Sequence, residues 1–358
     1  MAEIPPPEAG APTDALPPGP GSRWTDWRIW LGLAITVLCV WWASRGSPMS
    51  EVVEAMRRAD FWPLLLLSAP FYTLSVYVRA LRWRHLTNPI APMSRRVLFR
   101  SASLGFMVNN LLPLRLGEVV RSWTLARDTG TSMGAVVGTV VLERILDVAS
   151  VLALAAASLA YVGSSSDVGG VLAQGSILLA PVAIAPLLAL VVMKMAPEWV
   201  VRVAHFFLVP LPLHVRERVE RMLRSFMAGL GALRGGLHLF WIVLHSMTIW
   251  LVLSAAPIWI GLWAFDVDLG PPVDTVVAIW IVLGAVGVAV ALPSAPGFIG
   301  PYQLAFKSVL VRFGVDPATA LAMGVLVWFA FWLTLTLQGL FFLRSSRTSL
   351  SELTGHSE

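Results

Sequence analysis

The chain has 358 residues, 57% hydrophobic and 13% charged, with a mean hydropathy of +0.74, which is too apolar for a soluble protein of this length. Its formal charge of +5 would suit a nucleic-acid partner in a soluble chain, but the Lys and Arg gather between apolar runs, where they orient a membrane protein and meet anionic lipid, so no nucleic acid is expected. A single cysteine, Cys39, and six histidines with no pair four residues apart exclude a disulfide framework within the chain and predict neither a metal nor any other cofactor.

Residues 1–26 hold seven prolines and few large apolar side chains, the composition of a disordered tail. The acidic, proline-rich lead and the lack of a small-x-small cleavage pattern disfavour a signal peptide, so 27–43 reads as a first membrane helix. Apolar runs of spanning length follow at 62–80, 133–162, 171–195, 238–264, 275–292 and 318–343, with shorter, interrupted stretches near 97–112 and 298–313. The fold class is therefore all-α: a polytopic transmembrane bundle of about seven spans plus two re-entrant or broken elements. This membrane domain occupies 27–343, and 344–358 forms a short cytoplasmic tail.

Arginine placement sets the expected orientation. The connection after the second span carries Arg79, Arg82, Arg84, Arg95, Arg96 and Arg100, and 194–236 is equally basic, whereas 163–170 and 265–274 contain no Lys or Arg. The first pair of loops is expected inside and the second outside, with both termini cytoplasmic in a bacterial inner membrane. Two amphipathic stretches are not spans: 215–233 has the helical period of an interfacial segment or of a helix packed on the bundle, and 51–60 reads as a short packing helix at the outer face.

Three constellations carry the chemistry. In NNLLPLRLGEVVR at 109–121, Pro113 and Gly117 break a membrane run that also holds Asn110, Arg115, Glu118 and Arg121. Such a break is tolerated at depth only where protein or a wet cavity covers it. Two guanidiniums flanking a carboxylate can hold a phosphate in their planar forks; an ordinary cytoplasmic turn is the alternative. In the next span Glu143, Arg144 and Asp147 lie in VVLERILDVAS, where each charge costs roughly 2.5–3.5 kcal/mol unless paired or hydrated. Arg144 can reach Asp147 three residues on but cannot neutralise both acids, so the surplus carboxylate should meet Arg115 or Arg121 or stay hydrated in a cavity; a purely structural ion pair remains the rival. Gly130, Gly134 and Gly138 form a small-xxx-small series leading into this helix. The third constellation is ALPSAPGFIGPYQLAF at 291–306, where Pro293, Pro296 and Gly297 break a run followed by Tyr302 and Gln303. Aligning Leu112-Pro113 with Leu292-Pro293 also aligns Gly117 with Gly297, and paired breaks in two halves point to a midplane site.

The order N-x-L-L-P-x-R-x-G-E-x-x-R, then E-R-x-x-D, then P-S-x-P-G-x-x-G resembles the flippase-like family that includes the membrane domain of lysylphosphatidylglycerol synthase, over roughly 60–343. The resemblance implicates Asn110, Pro113, Arg115, Gly117, Glu118, Arg121, Glu143, Arg144, Asp147, Pro293, Pro296 and Gly297, and implies lipid translocation between leaflets. Full synthases carry a soluble catalytic domain after the membrane part; here 344–358 alone follow the last span, so synthase activity is not expected. Relatives associated with lipid-linked glycans and hopanoids leave the lipid open.

No HExxH, Walker loop or glycine-flanked nucleophilic serine occurs, so the chain does not read as an enzyme. The expected function is flipping of an anionic phospholipid or a polyprenyl-phosphate-linked lipid, with membrane lipids as partners and lipid-modifying or glycan-synthesis enzymes as further candidates. A membrane transferase using Glu118 or Glu143 as a base, and an accessory membrane subunit, are the alternatives.

Overall fold

The structure, a computed structural model, describes residues 27–112, 115–162, 195–209, 236–290 and 294–345, with a few isolated positions between 192 and 220. All regular structure among them is helical: α1 (Trp27–Ser44), α2 (Met49–Arg58), α3 (Phe61–Thr87), α4 (Arg95–Leu111), α5 (Gly117–Thr129), α6 (Met133–Val162), α7 (Pro197–Leu208), α8 (Gly236–Met247), α9 (Ala256–Ala264), α10 (Pro272–Ala289), α11 (Pro301–Leu310) and α12 (Pro317–Ser345). A π-helical turn, Thr248–Leu253, joins α8 to α9, and a 3-10 turn, Pro296–Phe298, precedes α11. Among the described residues, four stretches, 61–87, 237–264, 272–289 and 317–344, are long and apolar enough to cross a membrane. With 30 residues α6 is also long enough, but it carries the three charges at 143, 144 and 147. Pro113, Pro293, nearly all of the run at 171–195 and nearly all of 215–233 lie outside the described residues. Within the last, Glu220 Oε1 is 2.7 Å from His205 Nδ1 on α7.

Local chemistry sets the helix ends. Ser94 Oγ accepts the Val97 N–H at the start of α4, and Asp316 Oδ2 accepts the Thr319 N–H at 2.9 Å at the start of α12; both satisfy donors that a helix leaves orphaned. Gly130 ends α5 in the left-handed conformation, φ 65°, so it is a C-cap and not part of a packing face on α6. This corrects the expectation for the glycine series, because the helix it was to enter begins only at Met133.

Contacts between helix ends sort the bundle into two poles. At one pole the Asp60 N–H donates to Ala264 O, Tyr161 Oη donates to Asp274, Val52 of α2 packs with Ala318 and Ala322 of α12, and Lys307 Nζ donates to Ala43 O, Arg45 O and Ser47 Oγ, each at 2.7 Å, capping α1. At the other pole His85 meets His238, Arg100 pairs with Asp128, and Phe99 stacks edge-on against Phe342. The pair α4–α5 has both open ends at the second pole and turns back inside the bundle. The pair α10–α11 has both open ends at the first pole and turns back from the opposite direction. Two oppositely directed re-entrant hairpins therefore meet within the fold, the arrangement expected of the two broken elements.

Close backbone approach holds the first hairpin. A Cβ at Gly117 would run into the Gly105 carbonyl oxygen, and one at Gly105 would lie 2.8 Å from the Gly117 carbonyl oxygen, so α4 and α5 cross at this glycine pair. Across the hairpin Asn109 Oδ1 accepts the Gly117 N–H at 2.8 Å, replacing the cap that the break removes.

Candidate functional site

The charged residues of α3, α5 and α6 converge on one cluster between the tip of the first hairpin and its open ends. Arg82 lies at its centre with no exposed side-chain surface. Its Nη2 is 2.8 Å from Asp147 Oδ1 and 3.2 Å from Glu143 Oε1, and its Nη1 donates to Ser246 Oγ on α8 at 3.0 Å. Arg79, one helical turn earlier, donates through Nη1 to both oxygens of Asp147 at 3.1 and 3.2 Å. The π turn aims Trp250 so that its indole N–H reaches Asp147 Oδ1 at 3.2 Å while Arg79 stands over its ring at 5.5 Å; π turns often mark functional positions in this way.

The other arginines approach from the hairpin side. Arg121, 4% exposed, has Nη2 3.0 Å from Glu143 Oε2, but out of line, so Arg121 Nε, Arg121 Nη2 and Glu143 Oε2 all lack a hydrogen-bond partner. Its guanidinium lies 5.0 Å over the ring of Trp83, whose own N–H donates to Thr139. Arg144 Nη1 is 3.5 Å from Asp147 Oδ2 with 42% of its side chain exposed, the most open member of the cluster.

Two elements of the sequence reading change here. Arg79 and Arg82, assigned to a cytoplasmic connection, lie inside α3, which continues to Thr87; the two carboxylates on α6 make their burial tolerable, since paired charges avoid most of the desolvation cost. The carboxylate that Arg144 cannot neutralise, Glu143, meets Arg121, one of the two partners expected, and also Arg82, which was not. The signal for Arg82 was present in the sequence: two arginines three apart at the end of a span, facing a later span with more acid than it can pair internally.

The remaining candidates fall around the hairpin tips. Glu118 accepts from Asn109 Nδ2 at 3.2 Å. Asn110 donates to Trp332 O and Thr336 Oγ1 on α12, and Trp332 returns its indole N–H to Asn110 O at 3.1 Å. Trp328 donates to Gly297 O at 2.6 Å, so α12 grips both breaks. Arg115 forms no ion pair with Glu143 or Asp147: it donates to the Val290 carbonyl at the end of α10 and lies 5.3 Å over Phe298. Gln303 Oε1 accepts the Gly300 N–H at 2.8 Å, capping α11, and Tyr302 stacks on Phe306; both serve the second break in this state. Asn109, Arg79, Arg82, Ser246 and Trp250 were not singled out from sequence. The described residues contain no group of three side chains able to hold a metal ion.

The family described as the lysylphosphatidylglycerol synthase TM region matches residues 29–339, and the chain belongs to that family; it is a multi-pass membrane protein. It is similar to glycosyltransferase AglD of Haloferax volcanii, 28% identical over 334 residues, covering 82% of this chain and 50% of that protein. It is also similar to a UPF0104 membrane protein of Methanothermobacter thermautotrophicus, 32% identical over 101 residues, 27% of this chain and 29% of the relative. The chain thus spans about half the length of the first relative. No solved structure matches it.

Proposed function

We propose that this member of the family translocates an anionic lipid, a phospholipid or a polyprenyl-phosphate-linked lipid, between the leaflets of a bacterial plasma membrane. The observation that carries the reading is the charge balance of the buried cluster. Four guanidiniums, Arg79, Arg82, Arg121 and Arg144, pair with two carboxylates, Glu143 and Asp147, and Arg115 and Glu118 lie near enough to act on Arg121 or Arg144, so five positive charges less three negative leave an excess of two. An unbalanced positive pair inside a membrane bundle is expensive, and a phosphate-bearing headgroup offsets it. Arg121 has an Nε without a hydrogen-bond partner and an Nη2 that meets Glu143 only out of line, and Arg144 is half-open, so these two are the grip, while Arg82 and Arg79 hold the carboxylates in place.

The opposed hairpins support movement over simple binding, because two broken elements meeting at depth suit a site reached from either side. The arginine asymmetry supports an orientation with both termini and the open ends of α4–α5 in the cytoplasm and 265–274 outside. A second reading, a membrane-embedded transferase acting on a lipid-linked substrate, draws on the name of the archaeal relative, a glycosyltransferase that this chain covers by half.

Native mass spectrometry of the gently extracted protein tests the binding step. Anionic lipid adducts should be retained by the wild type and reduced in Arg121→Lys, which keeps the charge but loses the planar fork. Adducts restricted to zwitterionic lipid would defeat the reading, and a covalently altered product lipid would favour the transferase.

A further inference from the structure

Among the described residues, three that are not glycine have positive φ: Arg115 at 54°, Phe298 at 63° and Asp266 at 53°. Asp266 lies in an exposed connection. The other two occupy the two hairpin breaks and touch each other, the Arg115 guanidinium lying 5.3 Å over the Phe298 ring. Side chains rarely accept this backbone conformation unless the surroundings impose it, and such positions gather at switches. The contact is completed by the hydrogen bond from Arg115 Nη2 to the Val290 carbonyl, one of the orphan acceptors at the C-terminal end of α10, where a cation also meets the helix dipole. Arg115 Nε has no partner.

We propose that Arg115 is an exchangeable latch between the two hairpin tips, held by Val290 and Phe298 in the closed arrangement and taken over by the headgroup phosphate when a lipid enters. This rests on the lipid-translocation reading and adds to it the step that links headgroup arrival to motion. A backbone carbonyl offers the guanidinium one neutral acceptor. A phosphate offers a charge-assisted, two-pronged contact roughly twice as strong per bond, and it also satisfies Nε. Once Arg115 leaves, the cation is withdrawn from the end of α10, and the second hairpin loses this side-chain tie to the first. Each hairpin remains anchored to α12 through Asn110–Trp332 and Gly297–Trp328, so the tips part without the bundle dissolving.

The experiment uses the full-length protein with Cys39→Ala and spin labels at Leu111→Cys and Ile299→Cys, both exposed positions in the breaks, in phosphatidylcholine nanodiscs. The latch predicts a short interlabel distance for the wild type and for Arg115→Lys, which keeps a cation for the carbonyl and the ring. It predicts a shift to longer distances in Arg115→Gln and, should that variant fold poorly, in Phe298→Leu. Adding phosphatidate, a lipid phosphomonoester, should lengthen the wild-type distance, whereas inorganic phosphate should not, because only a lipid is held at depth. Wild-type distances in both Arg115→Gln and Phe298→Leu would overturn the proposal, as would the same lengthening by inorganic phosphate. Phosphatidate retained by mass spectrometry without a distance change defeats the latch alone. Phosphatidate not retained at all defeats the lipid reading and the latch with it.

Discussion

Arg82 and Asp147 form the shortest of the cluster's ion pairs, 2.8 Å between Nη2 and Oδ1, with 0% and 8% of their side chains exposed. Because Arg82 also serves Glu143 and Ser246, it is the hub on which the charges of α3 and α6 depend. Arg144, more open and 3.5 Å from Asp147, is peripheral to folding although central to the proposed grip.

Arg82→Ala should therefore be far more damaging to folding than Arg144→Ala. Removing one partner of a buried pair costs about 3–5 kcal/mol, and here Asp147 loses its nearest cation and Glu143 one of its two; for the half-open Arg144, 3.5 Å from Asp147, a smaller loss is expected. Thermal inactivation in detergent, followed by size-exclusion chromatography, compares the two. Replacing Arg82 and Asp147 together by leucine should recover part of the loss, and equal losses for the single Arg82 and Arg144 variants would remove Arg82 from its central place.

The glycine crossing of the first hairpin makes a sharper steric prediction. Gly117→Ala places a methyl against the Gly105 carbonyl, with Asn109 Oδ1 only 2.5 Å away. Overpacking between two backbones costs about 1–3 kcal/mol or more, and here it pries α5 from α4. Gly314→Ala, at φ 84° but with nothing within 4 Å, should lose only about 1–2 kcal/mol from backbone strain. Melting temperatures of the two variants decide the order.

Much of this was legible in the sequence, and the limits are instructive. The two breaks, the E-R-x-x-D helix and the need of its surplus acid for a partner, with Arg121 as one of two arginine candidates, follow from proline, glycine and charge inside apolar runs, because membranes penalise such residues unless a partner exists. Arg79 and Arg82 were misassigned for the same reason that topology rules work: arginine beyond an apolar run reads as loop, and only the register of α3 against α6 shows that the helix carries on. Arg115 and Arg121 look equivalent six residues apart, yet one lies in the break and faces the second hairpin while the other lies on α5 and faces α6. Sequence spacing does not encode that divergence, since it depends on the positive φ at Arg115.

Lys307 caps the end of α1 through three acceptors at 2.7 Å. Lys307→Met should strand those acceptors and cost about 1–3 kcal/mol, with α1 loosened first. Labelling of Cys39, buried in the fold, by a small membrane-permeant maleimide should rise in this variant; unchanged labelling would show that α1 is held by other contacts.

The orientation is testable in a Cys39→Ala background. Cysteine introduced at Asp268 should react with an impermeant maleimide from outside intact cells, and one at Arg96 only after permeabilisation, as the arginine asymmetry requires. The reverse pattern would invert the protein.

Translocation itself is the central claim, and leaflet exchange in reconstituted vesicles measures it. With labelled anionic phospholipid and labelled polyprenyl-phosphate sugar as separate substrates, wild-type protein should accelerate exchange of at least one. Arg121→Lys should slow it by about tenfold or more, a loss of roughly 1.4 kcal/mol in activation free energy, while folding as well as the wild type. Exchange no faster than in protein-free vesicles for every anionic lipid tested, or full activity in Arg121→Lys, would contradict the account.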